Sequence, residues 1–113
     1  MKLWIDDVRP APDGYVWCKS VNEAKEIIGV RNLMGDELVK ILTDVYEHDA
    51  DIEVIDIDHD AGDYAEDGGD YIKLLDWMEE IGYTPKAIHI HSMNPVGVEN
   101  MRRVIQKNGW REV

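Results

Sequence analysis

Three short runs of this chain alternate apolar residues with polar ones and then break off into acids, imidazole or hydroxyl: LWIDD at 3–7, EVIDIDHD at 53–60 and AIHIHS at 87–92. Alternation with a period of two is the pattern of a strand. Between the second and third runs, Tyr71, Leu74, Leu75 and Met78 recur at helical spacing, and after the third Val98, Met101 and Ile105 do the same. Strands that alternate with helices must be joined by crossovers, and crossovers put the strands side by side and parallel.

The rest of the chain fits that frame. Tyr15 to Lys19 is a second strand, entered through the turn Pro12-Asp13-Gly14. Ser20 and Glu23 form a capping box that opens a helix with Val21, Ala24, Ile27 and Ile28 on one side and Gly29 at its end. Leu38, Ile41, Leu42 and Val45 predict another helix near 36–48. Asn94 caps the last helix with Pro95 at its first position, Gly109 ends it, and Trp110 to Val113 is predicted as a final edge strand. The order β-β-α-α-β-α-β-α-β predicts an α/β domain over 1–113. It is a three-layer sandwich around a mainly parallel five-stranded sheet. Only Val8 to Gly14 and its flanks join the first two strands, too little for a crossover helix, so the first one is missing.

Length and charge narrow the function. A chain of 113 residues that is 44% apolar can bury one core. No apolar run approaches the twenty residues of a membrane span, and MKLWIDDVRP is charged too early for a signal peptide. The single cysteine, Cys18, excludes an internal disulfide and predicts a cytoplasmic setting. A formal net charge of −12 opposes direct binding to duplex nucleic acid or an anionic membrane, so an anionic ligand needs a metal ion or a local basic spot.

In an open parallel sheet, ligands bind beyond the carboxyl ends of the strands. Asp6-Asp7, Asp58-His59-Asp60 and His91-Ser92 all fall there, with Asn94 beginning a helix beside them. Two adjacent carboxylates repel, and a divalent cation relieves the repulsion, although an acid after a strand is also a common turn former or helix cap. Asp6, Asp7 and Asp58 are therefore the predicted metal ligands. His91, at the rim, is the predicted general acid or base, together with Asp60 and Asp58. His89 shares its face and is placed deeper, as a ligand, an orienting group or a hydrogen-bonded core histidine. Asp56, in mid-strand, has a plain structural reading. Arg9, Ser92 and Asn94 are the predicted phosphate contacts, by charge and by the free N–H groups of a helix start, though Ser92 and Asn94 also read as simple caps. The acidic run Asp60 to Asp70 lacks the spacing of a calcium loop and reads as a mobile loop over the site. Trp4, Trp17, Trp77 and Trp110 read as packing residues, with base stacking an alternative for Trp17. No P-loop and no nucleophile elbow is present.

The set WIDDVRPAP, YVWCKSVNEA, IDHDAG and IHIHSMNPVG resembles the cyclic-phosphate processing receiver domains of bacteria and phages, over nearly the whole chain except a helical expansion near 30–51. The resemblance implies a receiver-like, flavodoxin-like fold and a phosphoesterase role, in the cytoplasm of the bacterium or of a phage's host. Asp6 and Asp7 match the acidic pair that binds Mg²⁺ in ordinary receivers, Asp58 the phosphoacceptor and Ser92 the hydroxyl after the fourth strand. The receiver's lysine at the end of the last strand has no counterpart in Trp110-Arg111-Glu112-Val113, while His59, Asp60, His89 and His91 are additions. That moves the balance from switch toward hydrolase. The expected activity is metal-dependent hydrolysis of a cyclic phosphate, on a nucleotide or an RNA 2′,3′ end, with Mg²⁺ or Mn²⁺ favoured and Zn²⁺ open. His59 and His89 would support the site. A non-catalytic cyclic-nucleotide-binding module and a receiver-like signalling domain are the alternatives.

Overall fold

The computed structural model describes residues 1–29 and 52–113. The helix expected near 36–48 and the expansion near 30–51 lie outside the described residues. Strands β1 (Lys2–Ile5), β2 (Tyr15–Cys18), β3 (Val54–Ile57) and β4 (Ile88–Ile90) form a parallel sheet in the order β2-β1-β3-β4. The β1–β2 connection holds no helix, as the sequence predicts. Asp6 folds that connection back by accepting the N–H groups of Val8 and Arg9, and Gly14, at φ 85°, completes the turn into β2.

The expected fifth strand is a correction. Glu112 makes a single parallel bridge to Ile88, so the sheet has four strands among the described residues. The reason lies just upstream. Trp110 is drawn into the core and its N–H closes the preceding helix on Ile105, which leaves too little chain to pair further.

The helices are α1 (residues 21–29), α2 (Ile72–Ile81) and α3 (Pro95–Asn108). The Ser20 hydroxyl accepts the Glu23 N–H at 3.1 Å, while the Glu23 carboxylate accepts from Lys19, one residue before the position of a regular capping box. Residue 29 is still helical, so the stop expected at Gly29 falls at the limit of the described residues. Asn94 caps α3 by accepting the Gly97 N–H at 3.0 Å, and Gly109 ends it at φ 68°.

Alternate residues of β1, β3 and β4 point into one core. Leu3, Ile5, Ile55, Ile57 and Ile88 are wholly buried with Val21, Ala24 and Ile28 of α1, Leu74, Leu75 and Met78 of α2, and Met101 and Ile105 of α3. The connections β2 to β3 and β3 to β4 advance across the sheet in the same direction, and right-handed crossovers then put their helices on the same side. The described helices thus form one layer. The three-layer expectation would need helices on the opposite face as well, and the absent first crossover helix is one that would have lain there. That face carries Trp4, Asp56 and His89, which are neighbours in register across β1, β3 and β4.

Candidate functional site

The backbone ladder continues one residue past each strand. Asp58 donates its N–H to Ile5 at 2.9 Å and His91 donates its own to Ile57 at 3.0 Å. Asp6, Asp58 and His91 therefore stand in a row at the carboxyl edge, two residues beyond Trp4, Asp56 and His89 and on the same face. One ligand atom from each of the three lies within 4.8 Å of the others. Asp6 is fully buried, and Asp58 and His91 are half-buried.

His91 is held on every side. Its Nε2 meets Asp6 Oδ2 at 2.9 Å and its Nδ1 meets Asp56 Oδ1 at 2.5 Å. Its ring stacks on Trp4 with centroids 3.9 Å apart and planes within 3°. The Trp4 indole N–H donates to the Arg9 carbonyl at 2.9 Å, and the Arg9 guanidinium donates to the His91 carbonyl at 3.2 Å. The Arg9 and Val8 N–H groups converge on Asp6 Oδ1, and the Trp17 indole N–H donates to the Asp6 carbonyl at 2.8 Å. The β1 loop, the Trp4 plate and the end of β4 form one closed circuit.

The titrations follow from this geometry. Burial works against charge on His91, but the Asp56 and Asp6 carboxylates outweigh it and the imidazole pKa is raised. Burial also opposes the charge on Asp6, yet the Arg9 and Val8 N–H groups and His91 hold its pKa below the usual carboxylate value. Asp7 moves the other way. Burial and the nearby Asp6 and Asp58 carboxylates raise its pKa.

The predicted residues divide. Asp6, Asp58 and His91 come together. Asp7 stands beside them, its carboxylate pressed against Gly62, where φ of +55° and the closeness of Asp7 leave no room for a Cβ. Asp60 turns to His59, with Oδ1 2.8 Å from His59 Nδ1, and is 61% exposed, so it does not orient His91. The His59 ring packs onto the first turn of α3, where only a glycine, Gly97, leaves space for it. The Asn94 amide lies 3.5 Å from both members of that pair. Ser92 accepts the Asn94 N–H at 3.1 Å and Asn94 caps α3, so both perform the capping roles. Arg9 is exposed at the rim.

His89 is a correction. It is exposed, not deep, and its Nδ1 lies 2.8 Å from the Val113 carbonyl. The acidic run is another. Residues Gly62–Glu66 form a 3₁₀ turn, and Asp67 binds the Ser20 hydroxyl at 2.6 Å and the Asn22 amide at 2.9 Å, which ties this segment to the start of α1. The face of Trp17 is taken by Lys19, whose Nζ lies 4.6 Å from the ring centroid.

Sequence reasoning missed two residues, Asp56 and Trp4. Asp56 was read only as a mid-strand structural acid, and what was lacking is the register that puts it beside His89, one step from the His91 ring. Nothing in the sequence distinguishes Trp4 from a packing tryptophan.

The chain belongs to the cyclic-phosphate processing receiver domain family, whose family model matches residues 1–107. No curated protein and no solved structure matches it significantly. Among the described residues no helix is long and apolar enough to cross a membrane.

Proposed function

We propose that this receiver-like domain is a metal-dependent phosphoesterase that opens a cyclic phosphate on a nucleotide or an RNA end. The observation that carries the proposal is the convergence of Asp6, Asp58 and His91, with the Asp56 carboxylate behind His91. A carboxylate on the far nitrogen of an imidazole is the usual support of a metal-ligating histidine, because it fixes the tautomer and raises ligand basicity. The donor set fits a divalent ion. Two carboxylates and one imidazole suit Mn²⁺, and also Zn²⁺, better than the all-oxygen shell that Mg²⁺ prefers.

A divalent ion held by these ligands supplies Lewis acidity toward a phosphoryl oxygen and makes water a better nucleophile at neutral pH. To act as a ligand, His91 would release the Nε2 proton it shares with Asp6 and keep Nδ1 on Asp56, which would leave it no nitrogen for proton transfer. Proton transfer falls to His59, which Asp60 orients through Nδ1 at 2.8 Å, in the manner of an acid–base group held by its own carboxylate. Arg9, fixed through its backbone and through the His91 carbonyl, would offer its remaining guanidinium N–H groups to the non-bridging phosphate oxygens. The loop from Ser92 to Asn94 lies beside it at the start of α3.

The test is hydrolysis of a panel of cyclic nucleotides and 2′,3′-cyclic phosphates with Mn²⁺, Mg²⁺, Zn²⁺ or chelator. Turnover that needs the metal and vanishes in Asp58→Asn supports the proposal. Tight binding with full recovery of ligand under every metal points to a capture module instead.

A further inference from the structure

Among the described residues, three exposed large apolar side chains flank the site: Val8 at 73%, Met93 at 82% and Val96 at 69% exposure. Val8 sits between Asp7 and Arg9, Met93 follows Ser92, and Val96 is in the first turn of α3. In a chain with a net charge of −12, this is an unusual place to leave apolar surface bare. An open groove of about 540 Å³ starts at Ser92, next to His91, and is lined by Met93, Pro95, Val98, Glu99 and Arg102. That volume is in the range of small-molecule sites. Pro95 to Arg102 covers roughly 10 Å of helix at 1.5 Å per residue, enough for a nucleoside to lie along it.

We infer that this groove receives the base of the ligand whose phosphate sits at the Asp6–Asp58–His91 cluster, so that the substrates are nucleotides and not simple cyclic phosphates. The inference rests on the phosphoesterase reading and adds the organic half of the substrate. The walls are apolar and shaped by Met93, Pro95 and Val98, which suits a flat ring. The far end is polar. Arg102 is held by Glu112, with its Nε 2.9 Å from Glu112 Oε2, and Glu99 stands one turn before Arg103, its partner at 3.1 Å. A heterocycle with donor and acceptor edges can meet both charges, whereas an alkyl group would strip water from them without return. Ser92 joins the two halves of the site, since it lines the groove and follows His91 in the chain.

The experiment compares 2′,3′-cyclic AMP with glycerol 1,2-cyclic phosphate, which has the same five-membered cyclic ester and no base. Both are measured with Mn²⁺ for kcat/KM and by calorimetry for Kd, on the wild type and on M93S/V98T, with thermal melting as the control for folding. The expected result is a preference of at least roughly tenfold for the nucleotide, which falls toward unity in M93S/V98T. Equal handling of the two esters by the wild type, or an undiminished preference in a folded M93S/V98T protein, overturns the base groove alone. Failure to bind or cleave either ester overturns the phosphoesterase reading and the groove with it. A groove that serves a protein partner or a second copy of the chain gives the undiminished preference.

Discussion

The two faces of one sheet do opposite things with alternate residues of the same strands. On the helix side, Leu3, Ile5, Ile55, Ile57 and Ile88 are wholly buried and apolar. On the other side the corresponding positions are Trp4, Asp56 and His89, and one step beyond them Asp6, Asp58 and His91. The first face supplies cohesion through close packing. The second carries buried like charges, which an apolar core would expel. It is tolerable because the Val8 and Arg9 N–H groups meet the Asp6 carboxylate and the His91 ring bridges Asp6 and Asp56. The lesson is that a side chain's role in this domain is set by its parity on the strand, so neighbours in sequence should respond to mutation in different currencies of measurement.

The sharpest break of that comparison is at adjacent residues. Ile57→Ala, on the cohesive face, should cost about 2–5 kcal/mol of stability, read as a lower denaturation midpoint. Asp58→Asn, its neighbour, should keep the fold and lose metal-dependent turnover by about 10³-fold or more, the scale of several kcal/mol of charge stabilisation. Matching effects on stability from both would erase the distinction between the faces.

The next largest effect separates the histidines. His59→Ala should lower kcat by roughly 10²–10⁴-fold while metal affinity is kept. His91→Ala should lose metal affinity first. A His59→Ala enzyme at full speed would return the proton to another group.

Asp56→Asn should weaken metal affinity by about 10–100-fold, the usual cost of removing the carboxylate behind a ligating imidazole. It also has a signature without metal. The raised His91 pKa means that the protonated ring stabilises the folded state fully below the unfolded value of about 6.5, and that this contribution is lost as pH rises through the higher folded value. In chelator, the melting temperature of the wild type should therefore fall across that interval, and in Asp56→Asn the fall should be smaller and end at lower pH. An unchanged profile would detach Asp56 from His91.

The smallest effect concerns Trp4. Trp4→Leu removes the plate under His91 and the indole N–H to Arg9, and should weaken metal binding by a few-fold, as expected for a stacking contact worth about 0.5–1.5 kcal/mol. Trp4→Phe should recover the part due to stacking. Equal losses in the two variants would place the whole effect in the indole N–H.

Parity also explains what could be read in advance. Asp6, Asp58 and His91 were legible because each follows a strand, and parallel strands bring their ends to one edge. Asn94, Pro95 and Gly109 were legible because caps are local chemistry. His89 was not, since its depth depended on how far β4 extends and on which face the helices cover. The fifth strand failed because Trp110 is taken by the core, a tertiary demand that four terminal residues do not reveal. The acidic run was misread for the same reason. Asp67 looks like surface charge until Ser20 and Asn22 arrive from a distant part of the chain.

The central claim is that Asp6, Asp58 and His91 form a cation site, and thermal melting tests it without any substrate. A cation that binds only the folded state adds about 2.7 kcal/mol of stability at a hundredfold excess over Kd. Wild-type protein titrated with Mn²⁺ against a chelator control should melt several degrees higher as the metal saturates, and Asp58→Asn should show little of that shift. A wild-type melting temperature that Mn²⁺ and Zn²⁺ leave unmoved, or an equal shift in Asp58→Asn, would contradict the account.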